Sequence, residues 1–424
     1  MRFALVACFL FAGCVHDVGM RNTGVVSLPG RTIILHAPLA LPDGAHELEI
    51  RGMQATVLQL ADDFQGRAVF TSKSGSRIRF VRFTIAGRRA ALEKRQGLPG
   101  YDTPFARFTS NNGILIEQGM DITISDVTFQ EVAGFPILVS GSKGVHIERV
   151  RITDSGSRNP AGRNNTTGGI LVEEGTSDFQ VRDCELNNIR GNGIWTHSLY
   201  TSPRNSDGQI VGNRFSNIGR DAIQVGHATR VRVERNTGER IGYPESEVDA
   251  VPVAIDTAGN TDGSVYAGNR FSEINGKCID LDGFHHGEVT GNVCSNLKNF
   301  GVVMNNTNPD MQSAGITIAD NTINGAAYGG IFVIGSGNRV LRNHLLNLNT
   351  SKCLDCVYRP DEPDMLRSGI YLGRGAERPA PARANLIEDN EISGFRMRER
   401  CIGVAPGVSK SANMVARNRC SDAP

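Results

Sequence analysis

Two acidic residues alternate with two aliphatic residues in the segment GKCIDLDGFHHGEV. The acids are Asp280 and Asp282, and the aliphatic residues are Ile279 and Leu281. Because alternate side chains of a β-strand share a face, the aliphatic pair is predicted to point into a core and the carboxylates to point outward. Two neighbouring carboxyl groups can serve as the acid and the base or nucleophile of glycoside hydrolysis. The segment is therefore a candidate catalytic strand, and the strands beside it decide what the acids can do.

A repeat organises the chain around this segment: an asparagine is followed ten residues later by an aliphatic strand residue. The four clear pairs are Asn213/Ile223, Asn269/Ile279, Asn292/Val302 and Asn321/Ile331. The units are too short to contain a crossover helix, so they are predicted to stack as coils of a parallel β-solenoid. The asparagines would stack at one turn and hydrogen-bond the backbone from coil to coil. An antiparallel sandwich would need hairpin signals between neighbouring strands instead of this fixed offset.

These repeats resemble those of the right-handed parallel β-helix proteins, the pectate-lyase-like superfamily, over roughly residues 24–420. The resemblance implies a right-handed coil of three strands and, frequently, extracytoplasmic enzymes that cut or epimerise polysaccharides. The expected fold is therefore all-β, a single right-handed parallel β-helix of about eleven coils over residues 24–424. The spacing between strands lengthens at 155–168, 198–208, 241–251 and 350–367, where loops are predicted to project from the corners.

Aligning the strands on their first buried aliphatic residue predicts two columns of outward side chains. The central part of the first column is Trp195, Gln224, Ala254, Asp280, Val303, Phe332 and Tyr371. The central part of the second column is His197, Gly226, Asp256, Asp282, Asn305 and Ile334. Neighbours in a column lie about 4.8 Å apart, so Asp256 is expected beside Asp282. Beyond the central strands the columns turn aliphatic, which predicts that a loop or neighbour covers those parts of the face.

The columns and the adjoining corners supply the candidate site. The candidate catalytic residues are Asp256, Asp280, Asp282 and His197. The candidate substrate-binding residues are Trp195, Gln224, Arg220, His227, Lys277, His285, Asn305, Asn306 and Tyr371. Taken singly, an exposed aspartate is ordinary solvated structure. Stacked carboxylates, however, are costly unless a proton, a cation or a substrate intervenes, and this favours a function for the three acids together.

Three functions fit these residues. Glycoside hydrolysis needs two carboxyl groups and no cofactor, and it is favoured because the columns carry acids and a histidine but no lysine or arginine. A uronate lyase or C5-epimerase would need a base at C5, with Arg220, Lys277 or a cation such as Ca²⁺ neutralising the substrate carboxylate. A glycan-binding or structural solenoid would need no chemistry. Family motifs do not decide, since NTDG and HHG echo polygalacturonases but the rest of that signature does not follow in order: RIK is missing, and the one DD, Asp62-Asp63, lies far before NTDG.

The amino terminus, MRFALVACFLFAGC, reads as a secretory signal that ends in a bacterial lipoprotein box, with lipidation expected at Cys14. Residues 1–13 are thus the expected signal peptide and 14–23 a tether, placing the domain outside the cytoplasm on a membrane anchor. Ordinary signal cleavage is the alternative. No later segment is apolar over the roughly 18 residues that a membrane span needs. The formal net charge of +1 indicates no nucleic-acid partner, and a polysaccharide or oligosaccharide is the expected one.

Seven cysteines follow Cys14, so at least one is predicted to be free or paired between chains. Cys353 and Cys356 are predicted to form a loop staple in an oxidising compartment. Cys184 and Cys294 fall at apolar repeat positions and are predicted to lie in the core. No metal site is expected, because the chain has no second CxxC to complete a zinc set.

Overall fold

Parallel β-strands make up nearly all the regular structure of the computed structural model, which describes residues 19–93, 103–248, 250–306, 313–375 and 378–423. The strands, numbered β1 to β45 along the chain, form three sheets that we call A, B and C. Every strand ladder among these residues is parallel, and each strand pairs with its counterparts one coil before and one coil after it. The arrangement confirms the predicted right-handed parallel β-helix.

Sheet A consists of β1 Gly24–Ser27, β4 His46–Arg51, β7 Ser76–Val81, β10 Met120–Ser125, β13 Lys143–Glu148, β16 Ser177–Arg182, β19 Asn205–Ser206, β20 Gln209–Val211, β23 Ala228–Thr229, β24 Arg232–Glu234, β27 Thr261–Asp262, β28 Val265–Ala267, β31 Phe284–His285, β32 Glu288–Thr290, β35 Thr317–Ala319, β38 Arg339–Leu341, β41 Leu386–Glu388 and β44 Met414–Ala416. Sheet B consists of β2 Thr32–Leu35, β5 Val57–Leu60, β8 Thr84–Ala86, β11 Thr128–Gln130, β14 Arg151–Thr153, β17 Glu185–Ile189, β21 Arg214–Ile218, β25 Thr237–Ile241, β29 Arg270–Ile274, β33 Val293–Leu297, β36 Thr322–Ala326, β39 His344–Leu348, β42 Glu391–Gly394 and β45 Arg419–Asp422. Sheet C consists of β3 Leu39–Ala40, β6 Ala68–Lys73, β9 Asn112–Glu117, β12 Ile137–Ser140, β15 Gly168–Glu173, β18 Asn192–His197, β22 Ile223–Val225, β26 Val253–Thr257, β30 Lys277–Asp282, β34 Val302–Asn305, β37 Ile331–Val333, β40 Ile370–Leu372 and β43 Ile402–Val404.

Helices are few and short. The two α-helices of the described chain are α1, Arg89–Leu92, and α2, Phe105–Phe108. Three 3₁₀ helices also occur there, at Glu245–Glu247, Met365–Arg367 and Lys410–Ala412. Within the part of the chain that the structure describes, no helix is long and apolar enough to cross a membrane.

The eleven strands expected from the aliphatic repeat are all present in sheet C, from β9 to β43. Sheet C has 13 strands, because β3 and β6 add two coils at the amino-terminal end that the repeat alone does not reveal. Three of the four long connections predicted at corners lie between strands, for example between β14 and β15 and between β39 and β40, whereas 198–208 contains the short strand β19. Residues 1–18, which include Cys14, lie outside the described residues.

A ladder of asparagine side chains runs through the turn that precedes sheet B, as the repeat predicts. Each amide nitrogen donates to the amide oxygen of the next asparagine along the ladder, at 2.8 to 3.0 Å. The ladder contains Asn213, Asn236, Asn269, Asn292, Asn321, Asn343, Asn390 and Asn418. Each of these hydrogen bonds contributes about 1 kcal/mol, and together they fix the register of one coil on the next.

The seven cysteines that follow Cys14 form three disulfides and leave one thiol free, as their odd number requires. Disulfides join Cys278 to Cys294, Cys353 to Cys356 and Cys401 to Cys420. The first lies in the core and connects sheet C to sheet B. The second is the predicted loop staple. Cys184 is the free cysteine of the described chain and is buried, as expected, which raises the pKa of its thiol to about 12.

Candidate active site

Three adjacent strands of sheet C carry a column of polar side chains on their outer face. The strands are β22, β26 and β30, and their register pairs Gln224 with Asp256 and Asp256 with Asp280. Parallel strands lie about 4.8 Å apart, so the two carboxyl groups are immediate neighbours. Asp256 is half-buried, and only 8% of the surface of Asp280 is accessible to solvent. The acids therefore stand in a recess of the face.

The expected pairing of Asp256 with Asp282 is wrong. Ile255, and not Val253, pairs with Ile279, which moves Asp256 from the second outward column into the first. Val253 and Ile255 are both buried and lie two residues apart, so alternation of side chains fits either residue equally well. The same shift removes Ala254, which is buried, from the outward column.

Asp282 keeps its other predicted neighbour, Asn305, on strand β34. The backbone N–H of Asn306 donates to the Asn305 side-chain oxygen at 2.9 Å, and Asn306 itself is buried. These three residues lie at the carboxyl-terminal end of the strands, beyond the Asp256–Asp280 pair. The structure thus separates Asp282 from Asp256 while keeping it two residues from Asp280.

A third, deeper carboxylate joins the site at Asp221. The amide nitrogen of Gln224 donates to both Asp221 Oδ2, at 3.1 Å, and Asp256 Oδ2, at 2.6 Å. The Gln224 oxygen in turn accepts a hydrogen bond from Asn192 at 3.0 Å. Asp221 Oδ1 accepts the backbone N–H of Val253 at 2.9 Å. The glutamine is therefore held from three sides and links the two carboxyl groups.

The sequence prediction did not place Asp221 in the site, although a signal was present. Asp221 precedes Gln224 by three residues, as Lys277 precedes Asp280. Lys277 lies in register with Val253, whose N–H bonds to Asp221. A side chain three positions before an outward residue of the strand can therefore contact that residue. Arg220, predicted to bind substrate, lies with its Nε 3.7 Å from Asp221 Oδ2 and supports that carboxylate.

Lys277 forms an ion pair with Asp280 through its Nζ and the Asp280 Oδ2 atom. Burial disfavours the charge of Lys277, but the Asp280 carboxylate outweighs this effect, so the pKa of Lys277 lies above its ordinary value. Asp280 Oδ1 is buried and has no hydrogen-bond partner among the described residues. One oxygen of Asp280 is thus committed to a cation and the other is uncommitted.

The other two acids are in environments that favour the protonated form. Burial raises the pKa of Asp256 well above its ordinary value, and the neighbouring Asp221 and Asp280 carboxylates raise it further. Burial also raises the pKa of Asp221 to about 6, against the opposing charge of Arg220. A pair of carboxyl groups in contrasting environments is the arrangement that separates an acid from a base or nucleophile. Here Asp256 is suited to hold a proton, whereas Asp280 is paired with the Lys277 cation.

Helix α2 closes one end of the face. Trp195 is 8% exposed, with its ring 4.8 Å from that of Phe105 and 6.5 Å from that of Phe135. The buried carboxylate of Glu173 accepts the backbone N–H groups of Phe105, at 2.9 Å, and Ala106, at 2.8 Å, and so fastens the helix to the sheet. The expectation that Trp195 is an open platform for a sugar ring is therefore wrong. The predicted cover over the aliphatic part of the columns is confirmed.

The connection between β39 and β40 closes the other end. Tyr371 is fully buried, with its ring stacked 6.0 Å from that of Phe332, and Met365 of the connection belongs to the same core. Glu362 of the connection accepts the backbone N–H groups of Arg374 and Gly375, at 2.6 and 3.0 Å. Tyr371 is therefore not available as a sugar platform, and the open part of the face is limited to the central strands.

The predicted histidines lie outside the acid column. His197 packs edge-on against Phe105 and Trp195, at 5.3 Å from each ring, and His227 lies between His197 and Tyr200. Burial lowers the pKa of His197 and of His227 to about 4. Both rings are therefore neutral near pH 7 and border the site next to Gln224 without joining the carboxylates.

His285, a candidate substrate-binding residue, lies past the strand that carries Asp280. It ends strand β31 of sheet A, one corner beyond β30. The chain turns at Gly283, directly after Asp282, so His285 is not on the face of sheet C that carries Asp256 and Asp280. His285 and His286 instead surround Asp262 on the neighbouring coil.

Residues 106–244 match a family model described as the right handed beta helix region. No protein of curated function matches the sequence at a significant level. Among similar solved structures, the surface adhesin PfbA of Streptococcus pneumoniae is 18% identical, with a TM-score of 0.57 over 77% of this chain and 84% of that one. DFA-IIIase from Arthrobacter chlorophenolicus A6 is 13% identical, with a TM-score of 0.56 over 96% of this chain and 90% of that one. An exopolygalacturonase from Thermotoga maritima is 12% identical, with a TM-score of 0.53 over 77% of this chain and 84% of that one.

Proposed function

The chain is a right-handed parallel β-helix protein, and on this scaffold we propose that it is an extracytoplasmic glycoside hydrolase acting on a polysaccharide or oligosaccharide. The observation that carries the proposal is the pairing of Asp256 with Asp280 on adjacent strands, in environments that favour opposite protonation states. At the identities of the similar structures the likeness concerns the fold alone. The side chains of the central strands are therefore the support for the activity.

The roles follow from the environments. Asp256, whose pKa is raised, donates its proton to the oxygen of the leaving sugar. Asp280, ionised beside Lys277, attacks the anomeric carbon and forms a glycosyl ester as the glycosidic bond breaks. Asp256 then takes a proton from the water that hydrolyses this ester, which returns both carboxyl groups to their starting states. The strand spacing of about 4.8 Å is close to the separation of about 5–5.5 Å found in retaining enzymes.

A uronate lyase or C5-epimerase is the second candidate, and the position of Lys277 is the observation in its favour. Lys277 stands on the central strands next to an acid, where it can neutralise a substrate carboxylate if it exchanges Asp280 for that carboxylate. Arg220 lies one residue before Asp221 at the same edge. A Ca²⁺ ion held by the carboxylates would serve the same purpose.

The location is also a proposal. Three disulfides among the described residues favour an oxidising compartment, in agreement with the apolar amino-terminal segment. Membrane attachment would run through a lipid on Cys14. Cys14→Ser should release the protein from the membrane fraction or leave it unprocessed. Unchanged fractionation and mass would remove the anchor from the proposal.

Incubation of the purified chain with a panel of neutral and uronate polysaccharides tests the activity. New reducing ends without the ultraviolet absorbance of an unsaturated uronate indicate hydrolysis, and the same ends with that absorbance indicate elimination. For a hydrolysed substrate, proton NMR of the first product gives its anomeric configuration, and retention is the expected result. Binding of a glycan with no turnover would favour a glycan-binding solenoid.

A further inference from the structure

Three side chains that commonly bind metals meet at a corner of sheet A. Asp262 ends strand β27 and is in register with His285, which ends β31 on the next coil, and His286 follows His285 directly. Asp262 Oδ1 lies 3.6 Å from His285 Nε2 and 3.1 Å from His286 Nδ1. The three ligand atoms lie within 4.8 Å of one another. None of these residues takes part in the Asp256–Asp280 pair.

The hydrogen bonds of His285 fix which nitrogen carries its proton. His285 Nδ1 lies 3.0 Å from the carbonyl oxygen of Gly283, an atom that can only accept a hydrogen bond, so Nδ1 is the donor. In a neutral ring, Nε2 then presents a lone pair to Asp262 Oδ1, and two acceptors face each other. A cation between them removes this conflict. An N–H that donates to a backbone carbonyl is also the usual support of a histidine that binds a metal through its other nitrogen.

The separations of the two histidine nitrogens from Asp262 Oδ1 fit one coordination sphere. For zinc bonded to nitrogen and oxygen at about 2.0–2.1 Å with tetrahedral angles, neighbouring ligand atoms are about 3.3 Å apart. The measured separations of 3.1 and 3.6 Å bracket this value. Asp262 and His286 are at least half exposed, so an ion can enter from solvent. Two imidazoles and one carboxylate suit first-row transition metals better than Ca²⁺ or Mg²⁺, which prefer oxygen.

We propose that Asp262, His285 and His286 form a binding site for one divalent transition-metal ion, with Zn²⁺ as its probe. The remaining coordination positions face solvent and would hold water. Because Asp262 belongs to one coil and the two histidines to the next, the ion cross-links two coils of the β-helix. It therefore stabilises the folded chain by an amount that grows with the logarithm of the ratio of its concentration to the dissociation constant.

Isothermal titration of Zn²⁺ into the chelator-treated full chain, with any affinity tag removed, tests the site. The expected result is one Zn²⁺ per chain, together with a rise in Tm that Ca²⁺ and Mg²⁺ do not produce. Asp262→Asn and His285→Gln should each raise the dissociation constant at least about tenfold. Titration with Co²⁺ should give visible absorption bands that the two variants lose.

The matched control is His344→Gln, because His344 Nδ1 lies 3.0 Å from Glu391 Oε2 in an exposed pair to which the described part of the chain adds no third ligand. This variant should bind Zn²⁺ like the natural chain. Circular dichroism and Tm without metal show whether each variant is folded. Absence of Zn²⁺ binding to the natural chain would overturn the proposal and leave a simple imidazolium–carboxylate pair. Equal binding by folded Asp262→Asn and His285→Gln would overturn it as well.

Discussion

Asp256 and Asp280 are register partners on adjacent parallel strands, but Asp280 contacts Lys277 whereas Asp256 contacts the uncharged amide of Gln224. Two negative charges at this spacing repel each other, so the neighbouring groups decide which carboxyl group is favoured in its ionised form. Lysine stabilises the charged form of Asp280. Gln224 leaves Asp256 with two acidic neighbours, and the pKa of Asp256 rises as a result.

The first prediction is that each acid of the pair is required for turnover. Asp256→Asn and Asp280→Asn should each lower kcat by about 10² or more on any substrate that the natural chain hydrolyses, because each removes a proton donor or a base. Asp282→Asn should have a smaller effect, since Asp282 lies beside Asn305 and not beside Asp256. Initial rates of reducing-end formation measure all three.

Glu117→Gln is the control for these variants. Glu117 lies in sheet C, on the second outward column, and forms an exposed ion pair with Arg67 at 2.8 Å. Such pairs contribute about 0–1 kcal/mol, so activity and stability should remain close to those of the natural chain. Full activity of Asp280→Asn would exclude the proposed nucleophile and return the glycan-binding solenoid as the better hypothesis.

The second prediction concerns Lys277. Lys277→Met removes the cation beside Asp280, which is largely buried, and should lower the free energy of unfolding by about 2 kcal/mol or more. The double variant Lys277→Met with Asp280→Asn should recover much of this loss, because no buried charge is left without a partner. Urea unfolding of the two single variants and the double variant gives the coupling energy. Strict additivity of the two single effects would show that the ion pair does not stabilise the fold.

The sequence predicts the scaffold well because each coil repeats the same constraints. Asn213, Asn269, Asn292 and Asn321 each occupy one turn of the solenoid, and a buried polar amide at a fixed offset from an aliphatic strand permits few other folds. The register of β26 escapes prediction because its coil departs from the repeat. A long connection precedes Val253, so no asparagine stands ten residues before the strand.

The open extent of the site is harder to predict for a different reason. Which part of an outward column stays exposed depends on segments that carry no repeat. Trp195 is covered by Phe105 of α2, which lies 90 residues earlier in the chain, and nothing in the sequence around either residue indicates this contact. The aliphatic columns correctly predict that some cover exists, but they do not identify it.

The third prediction follows from the raised pKa of Asp221. The folded chain holds the proton of Asp221 up to about pH 6, whereas an unfolded chain releases it near about pH 4. The stability that this proton binding provides is present below pH 4 and is lost as the pH rises through about 6, by up to about 3 kcal/mol. Asp221→Asn should remove this part of the pH dependence while keeping an oxygen for the N–H of Val253.

Thermal unfolding from about pH 4 to about pH 7.5 measures the effect as the difference between the natural chain and Asp221→Asn. His197 and His227, whose pKa values are lowered, change stability in the opposite sense over part of this range. They are present in both proteins and cancel in the difference. Parallel Tm curves would show that Asp221 has an ordinary pKa in the folded chain.

The fourth prediction uses the single tryptophan of the chain as a reporter of the cover over sheet C. Phe105→Ala removes the ring that lies 4.8 Å from Trp195 and should expose the indole, shifting its emission to longer wavelength and increasing its quenching by acrylamide. Loss of a buried phenylalanine costs about 3–5 kcal/mol, so Phe105→Leu provides a milder variant with an intermediate shift. Phe80→Ala, which removes a fully buried ring from sheet A, should lower Tm without changing the emission. If Trp195 emission is the same in folded Phe105→Ala as in the natural chain, helix α2 does not cover this end of the face in solution. The open part of the outer face of sheet C then extends to Trp195.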